Sequence, residues 1–294
     1  MLSHPKISVV TPSYNQGQFI EETILSVLGQ HYPNLEYIII DGGSTDNTIE
    51  IIRKYEKHIS YWISEKDGGQ SQAINKGFKV ATGDIFCWLN SDDMFMPHTL
   101  DYIYRNIDIN EAGICFGNCI HFKEDVDGVT SWGSDVVNMS VNTSLDIRDF
   151  IIQPSSFWSK KVWELVGPLR EDVHFAFDWE WFLRAERQEI KLNAVSKCLS
   201  LYRYHKEHKT GSGGLQRQQE ILKLYKAYSA RYAELYEMLM NEKSMPVSIL
   251  AKIKTMFFKN LYSEPKKPEC FKKLSPRKYK DYSEEEIASC YYML

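Results

Sequence analysis

No stretch of this 294-residue chain stays apolar for the roughly 20 residues that a membrane-crossing helix needs. Its six cysteines, at 87, 115, 119, 198, 270 and 290, contain no C-x-x-C pair and sit in largely apolar contexts. That pattern favours buried, reduced thiols over a disulfide framework. Met1 to Lys6 lead straight into a strand pattern, without the apolar core of a signal peptide. No G-x-G-x-x-G follows the first strand, which counts against a dinucleotide-dependent oxidoreductase. Internal repeats and low-complexity tracts are lacking too. These absences predict a cytoplasmic globular protein with one large domain, or one domain and a substantial appendage.

What is present is ordinary in bulk and uneven in charge. The chain is 43% hydrophobic and 25% charged, and its net charge is −4. Between Lys243 and Lys280, eleven basic residues face only Glu264 and Glu269, a local +9 that leaves −13 for the rest. A basic segment on an acidic body predicts contact with something anionic, or a solvated tail. On a helical wheel from Pro246 to Leu261, Ile249, Leu250, Ile253, Met256, Phe257 and Leu261 share a face flanked by Lys252, Lys254 and Lys259. Residues 246–280 are thus a candidate for docking on an anionic membrane surface, on the inner face for a cytoplasmic protein. Packing on the main body of the chain or on another subunit of a homo-oligomer is the alternative. Nothing in the pattern points to nucleic acid.

Short apolar runs alternate with helical patterns through the first third. "KISVVTPS" (6–13), "EYIIID" (36–41), "SYWIS" (60–64) and "DIFCWLN" (84–90) read as strands, and 17–30, 46–57 and 69–82 as helices. This is the order of βαβ units, which build a parallel sheet buried on both faces. Right-handed crossovers then align the strand C-terminal ends along one edge, where open α/β folds bind ligands. Each of the four strands ends in ligand-suited residues: "TPSYN", "DGG", "EKDGGQS" and "NSDD". A helix over 98–107 and the strand "AGICFGNCIHF" follow, and then a polar, irregular stretch at 123–145 that predicts a lid over the site. "PSSFWSKKVWELVG" reads as a strand entering a helix, "FDWEWFLRAERQ" as a helix, and "LNAVSKCLSLYRYHKEHKT" as a strand leaving into a loop. A single amphipathic helix is expected over about 214–240.

Adjacent carboxylates Asp92 and Asp93, behind a strand too apolar for a surface edge, repel each other and call for a neutralising cation. A polar turn before the helix near Pro97 is the simpler explanation of the pair taken alone.

Together, "TPSYN", "DGGSTDNT", "DGGQSQAINKG", "NSDD" and "FDWEWFLR" resemble the family 2 glycosyltransferases of the GT-A fold, over about residues 6–210. The resemblance implies an α/β, Rossmann-like, mainly parallel sheet flanked by helices, with a helical C-terminal extension. The domain would cover 1–212, its nucleotide-sugar half about 1–97 and its acceptor half about 98–212, with the basic extension at 213–294. The family transfers a sugar from a nucleotide-activated donor with inversion at the anomeric carbon. By resemblance, Pro12, Ser13 and Tyr14 surround the base and ribose, and Asp41 accepts a hydrogen bond from the base. Asp67 is the second nucleoside-contacting acid, and Gly69 permits close backbone approach. UDP is the first choice of nucleotide, with GDP or dTDP as alternatives, since each base offers a ring N–H donor.

"NSDD" departs from the family's acidic motif by placing Asn90 at its first acid. Asp92 and Asp93 are then the candidate ligands of Mn²⁺ or Mg²⁺, with His205 of "YRYHKEHKT" as a third. Asn90, Ser91, Asp93, Arg203 and Lys209 are candidates for the donor sugar and diphosphate. Phe177 replaces the first acid of a pair and leaves Asp178 as the general base that an inverting transfer requires. Flanked by Phe177, Trp179 and Trp181, Asp178 stands where burial would suit a carboxylate to that task. A helix N-cap is its structural alternative. Among the aromatics, Trp179 is the candidate for stacking on a sugar. A glycan or lipid-linked acceptor in bacterial polysaccharide or lipopolysaccharide assembly is implied. Two other classes compete: a catalytically silent sugar-nucleotide-binding scaffold, favoured by Asn90 and Phe177, and a nucleotidyltransferase, disfavoured because "TPSYNQGQF" carries no basic residue.

Overall fold

The computed structural model describes residues 4–205, 209, 213–244 and 277–294. Contacts divide the chain into two units, Met1–Asn142 with Phe150–Ser212, and Thr143–Asp149 with Gly213–Leu294.

The first unit is built on a mixed sheet. Its strands are β1 (Ile7–Ser13), β2 (Leu35–Asp41), β3 (Tyr61–Ser64), β4 (Ile85–Trp88), β5 (Met94–Phe95), β6 (Gly113–Asp125), β7 (Gly128–Gly133), β8 (Ser156–Ser159) and β9 (Lys191–Tyr204). They lie in the order β3-β2-β1-β4-β8-β6-β9-β5, with β7 paired to β6. Strands β3, β2, β1 and β4 are mutually parallel. Antiparallel β8 joins this half to the rest.

Crossover helices α1 (Ile20–Leu28), α2 (Thr48–Tyr55) and α3 (Gln70–Val80) connect the parallel strands. Alternation along β1 explains how both sheet faces are covered. Ile7 and Val9 pack with Ile20, Ile24, Val27 and Ile52 of α1 and α2. Val10 faces α3, where a Cβ on Gly77 would lie 2.4 Å from Val10 Cγ1. Only a glycine allows α3 so close to the sheet. Beyond it the core is aromatic: Phe78 stacks on Phe86 at 5.1 Å, Trp88 meets Trp158 at 5.3 Å, and Trp158 meets Trp181 at 4.8 Å. Helices α4 (Thr99–Tyr104), α5 (Val136–Asn142), α6 (Lys160–Val166) and α7 (Phe177–Arg187) complete this unit.

Two expectations need correction. The stretch 123–145 is not structureless: β6 runs on to Asp125, turns at Gly128 into β7, and α5 follows. The extension does not begin with one helix, because Ser229 is extended (φ −152°, ψ 98°) and separates α8 (Gly214–Tyr228) from α9 (Ala230–Ser244). With α10 (Glu284–Tyr292), these helices form the second unit around Ile221, Leu224, Tyr236, Leu239, Ile287 and Cys290. Ser283 and Glu286 cap α10 reciprocally. The amphipathic helix expected at 246–261 lies outside the described residues, as does Cys270. The other five cysteines are free thiols, and burial pushes Cys115 up to about 12. Among the described residues, no helix is long and apolar enough to cross a membrane.

Candidate active site

The parallel register sets Ser13, Asp41 and Ser64 side by side at the C-terminal ends of β1, β2 and β3. Above this edge, within the first unit, lies a cavity of about 540 Å³, a size suited to a small-molecule ligand. The end of β1 and the loop after it contribute Pro12, Ser13, Tyr14 and Gln16, and the loop after β2 Gly42 and Gly43. Lys66, Asp67, Gly69 and Gln70 come from the β3–α3 junction, and Asn90, Ser91, Asp92 and Asp93 from the turn after β4. Asp178 and Phe177 enter from the start of α7, and Lys209 from beyond β9.

Several of these groups are set for a ligand. Tyr14 is 61% exposed, an open aromatic face. Ser13 Oγ and Gln16 Oε1 are buried without a hydrogen-bond partner among the described residues. Buried polar atoms normally have partners, so both await one. Gly69, at φ +126°, caps α3 with its N–H on Asp67 Oδ1 at 2.9 Å. A polar chain crosses the floor of the cavity. Lys209 Nζ donates to Gln70 Oε1 at 3.1 Å, Gln70 Nε2 to Asn90 Oδ1 at 2.8 Å, and Asn90 Nδ2 to Asp93 Oδ2 and Gln153 Oε1, both at 3.2 Å. The Asn90 amide oxygen is therefore engaged by protein. Gln153, Gln70 and Tyr202 also line the cavity and were not among the sequence candidates. Gln153 had a signal in sequence, a lone amide in the apolar run "DFIIQPSSFW".

Three candidates lie elsewhere than expected. Asp41 is fully buried behind the wall and does not line the cavity. Its carboxylate accepts from Gly43 N (3.0 Å), Ser44 N (2.8 Å), Ser44 Oγ (2.5 Å) and Ser64 Oγ (2.6 Å), so it organises the turn after β2. Arg203 is buried beneath the acidic turn, not aimed into the cavity. Its guanidinium pairs with Glu22 and Glu124, and its backbone N–H donates to Asp93 Oδ1 at 3.1 Å. Trp179 is 1% exposed and does not reach the cavity, so burial removes it as a sugar-stacking face.

The acidic turn tests the site for a cation. Burial, then the neighbouring Asp92 charge, pushes the Asp93 carboxyl well above the usual range. Asp92 Oδ2 faces His205 Nε2 at 3.0 Å, and the imidazole packs on Phe19 at 4.6 Å. No closed group of three or more acidic, His or Cys side chains is preformed among the described residues. An acid–imidazole pair beside an open cavity fits a hard divalent cation that completes its shell with phosphate and water.

Known proteins agree with this geometry. The family described as Glycosyl transferase family 2 matches residues 8–151. An uncharacterised glycosyltransferase of Nostoc sp. is 30% identical over 213 residues, 68% of this chain and 65% of that protein. Glycosyltransferase GlyG of Streptococcus pneumoniae is 34% identical over 121 residues, 40% of either chain. The putative teichuronic acid biosynthesis glycosyltransferase TuaG of Bacillus subtilis is 41% identical over 102 residues, 33% of this chain and 40% of that one. The matches to GlyG and TuaG thus span well under two thirds of those relatives. Among solved GT-A structures, a mannosyltransferase of Pyrobaculum calidifontis with GDP-Man and Mn²⁺ superposes with TM-score 0.63 at 16% identity, over 98% of this chain and 86% of that one. S. aureus TarS with UDP-GlcNAc does so with TM-score 0.57 at 17%, over 95% and 73%. Motifs, fold and family match converge: the chain belongs to glycosyl transferase family 2.

Proposed function

We propose that this glycosyltransferase moves a sugar from a nucleoside diphosphate donor to an acceptor hydroxyl, with inversion, in the cytoplasmic assembly of a bacterial surface polysaccharide. The observation that carries the reading is the cavity at the parallel strand ends, where an open tyrosine, orphaned polar atoms, two lysines and the acidic turn meet Asp178. UDP is the preferred nucleotide, in keeping with the UDP-GlcNAc held by TarS, although the mannosyltransferase neighbour holds GDP-Man. The polysaccharide setting rests on the name of the teichuronic acid relative.

In this reading Tyr14 stacks on the base, and Ser13, Gln16 and Asp67 receive its polar groups and the ribose. Asp41 fixes the turn that carries Gly42 and Gly43. Lys66 and Lys209 face the diphosphate, and Asn90, Ser91 and Asp93 the donor sugar. Asp92 and His205 would hold Mn²⁺ or Mg²⁺, with Asp93 beside them, and the bound ion would stabilise the departing nucleotide as a Lewis acid. Arg203 positions the acidic turn from below. Asp178, entering on the first turn of α7, takes the proton of the attacking hydroxyl as the new glycosidic bond forms.

Release of UDP from UDP-sugars in the presence of Mn²⁺ tests the reading against a silent scaffold. Turnover is expected in the full chain and is lost in Asp92→Ala, a change at a partly exposed turn position outside the hydrophobic core. Donor hydrolysis absent from the full chain with UDP-, GDP- and dTDP-sugars would remove the enzymatic reading.

A further inference from the structure

One row of aromatic side chains runs outward from the cavity. Cross-strand register places Trp132 of β7 opposite His121 of β6, and His121 opposite Tyr202 of β9. Paired residues share a sheet face, so the three rings form one row across three strands. Trp132 and His121 stack nearly parallel (5.7 Å, 11°), and His121 and Tyr202 stand 5.5 Å apart. Tyr204, two residues along the same face, lies 5.1 Å from Tyr202 and 5.0 Å from Trp132. The inner end opens into the cavity, which Tyr202 lines. At the outer end Trp132 is 45% exposed.

Cross-strand aromatic pairs can serve a hairpin alone, at about 0.2–1 kcal/mol per pair. That use accounts neither for an indole left half in water nor for a row that begins in the cavity. His121 adds a polar group to the row, since its Nδ1 is buried with no partner among the described residues. Burial lowers its pKa, so the ring is neutral at neutral pH. Lys123, two residues beyond His121 on β6, pairs with Asp125 at 3.8 Å. A continuous, uncharged aromatic face with one orphaned nitrogen suits a neutral ligand with apolar faces and hydroxyl edges. A saccharide chain is such a ligand.

We propose that Tyr202, Tyr204, His121 and Trp132 are an acceptor platform, binding a neutral oligosaccharide whose hydroxyl end reaches the cavity while preceding sugars stack outward toward Trp132. The row follows the sheet at strand spacing, about 4.8 Å per step, so it seats more than one sugar ring. The proposal rests on the glycosyltransferase reading of the cavity, and its test separates the two.

The full chain, Trp132→Ala and Trp132→Phe would be compared on an array of neutral bacterial oligosaccharides, with UDP affinity in Mn²⁺ measured alongside. The full chain is expected to bind at least one glycan of two or more residues. Trp132→Ala should weaken that binding at least tenfold and Trp132→Phe restore most of it, with UDP affinity equal in all three. Unchanged glycan binding in Trp132→Ala, no glycan bound by the full chain, or an equal loss of UDP affinity would overturn the platform. Loss in Trp132→Ala of binding to glycan-free phosphatidylglycerol vesicles would overturn it in favour of a lipid surface. Failure of the full chain to bind UDP would instead strike the reading of the cavity itself.

Discussion

Asp178 shows how far residue type and position carry a chemical assignment. It sits on the first turn of α7 and lines the cavity, where a base would have to be. Glu180, the other acid of that turn, is 1% exposed and salt-bridged to Arg184 at 3.0 Å, so it cannot substitute. Asp178→Asn should therefore lower turnover roughly 10²–10⁴-fold, the usual worth of a positioned base, and leave donor affinity nearly unchanged. Steady-state rates and UDP titration of the same variant would check this. Normal turnover would return Asp178 to a structural role: the N-cap is Ala176, and Asp178 Oδ1 accepts from Trp179 N at 2.8 Å, a bond that asparagine's amide oxygen can keep. The opposite lesson comes from Asp41 and Arg203, both read from sequence as ligand contacts. Their charges are taken up by Ser44, Ser64, Glu22 and Glu124, partners 3 to 181 positions away. Motif membership was visible in the sequence; which neighbour would occupy a side chain was not.

Elements with a strong local period were legible, and those fixed by distant pairing were not. The four parallel strands and three crossover helices stand where β-branched runs and helical spacing put them. The β6–β7 hairpin was missed because "KEDVDGVTS" alternates weakly and gains its pairing from the "DG" turn and from β9. The break at Ser229 was invisible because neither glycine nor proline marks it. Two contacts yield predictions at this scale. Gly77→Ala would press a methyl onto Val10 and should cost about 1–3 kcal/mol of stability, read from urea unfolding. Glu36 accepts from Ser8 Oγ (2.5 Å), Thr82 N (2.7 Å) and Thr82 Oγ1 (2.6 Å), joining β1, β2 and the turn before β4. Burial raises its pKa, but these bonds and Lys6 outweigh it and hold the carboxyl below 4.5. A depressed carboxyl stabilises the fold above its unfolded pKa, and that contribution fades as pH falls through the folded value. Glu36→Gln should thus cost about 1 kcal/mol at pH 7 and progressively less below pH 4 in matched thermal melts.

At the scale of the whole molecule, the sheet turns a set of short motifs into one site. Residues 12–14, 67, 69, 70, 90–93 and 178 are far apart in sequence and share one cavity because parallel crossovers bring the strand ends to one edge. Their order was readable from the motifs. The sheet beyond β4 was less so, since its strands mix parallel and antiparallel pairing. The charge asymmetry has its basic part in residues 243–280, mostly outside the described residues. The central claim is that the strand-end cavity binds a nucleoside diphosphate. It is tested most directly by thermal unfolding of the full chain during titration with UDP, with and without Mn²⁺. A ligand bound only to the folded state adds about 2.7 kcal/mol at a hundredfold excess over Kd. The account predicts a melting temperature that climbs with UDP, climbs further with Mn²⁺, and in Asp67→Ala stays near its ligand-free value. A melting temperature indifferent to UDP, GDP and dTDP at millimolar concentration with Mn²⁺ would contradict it.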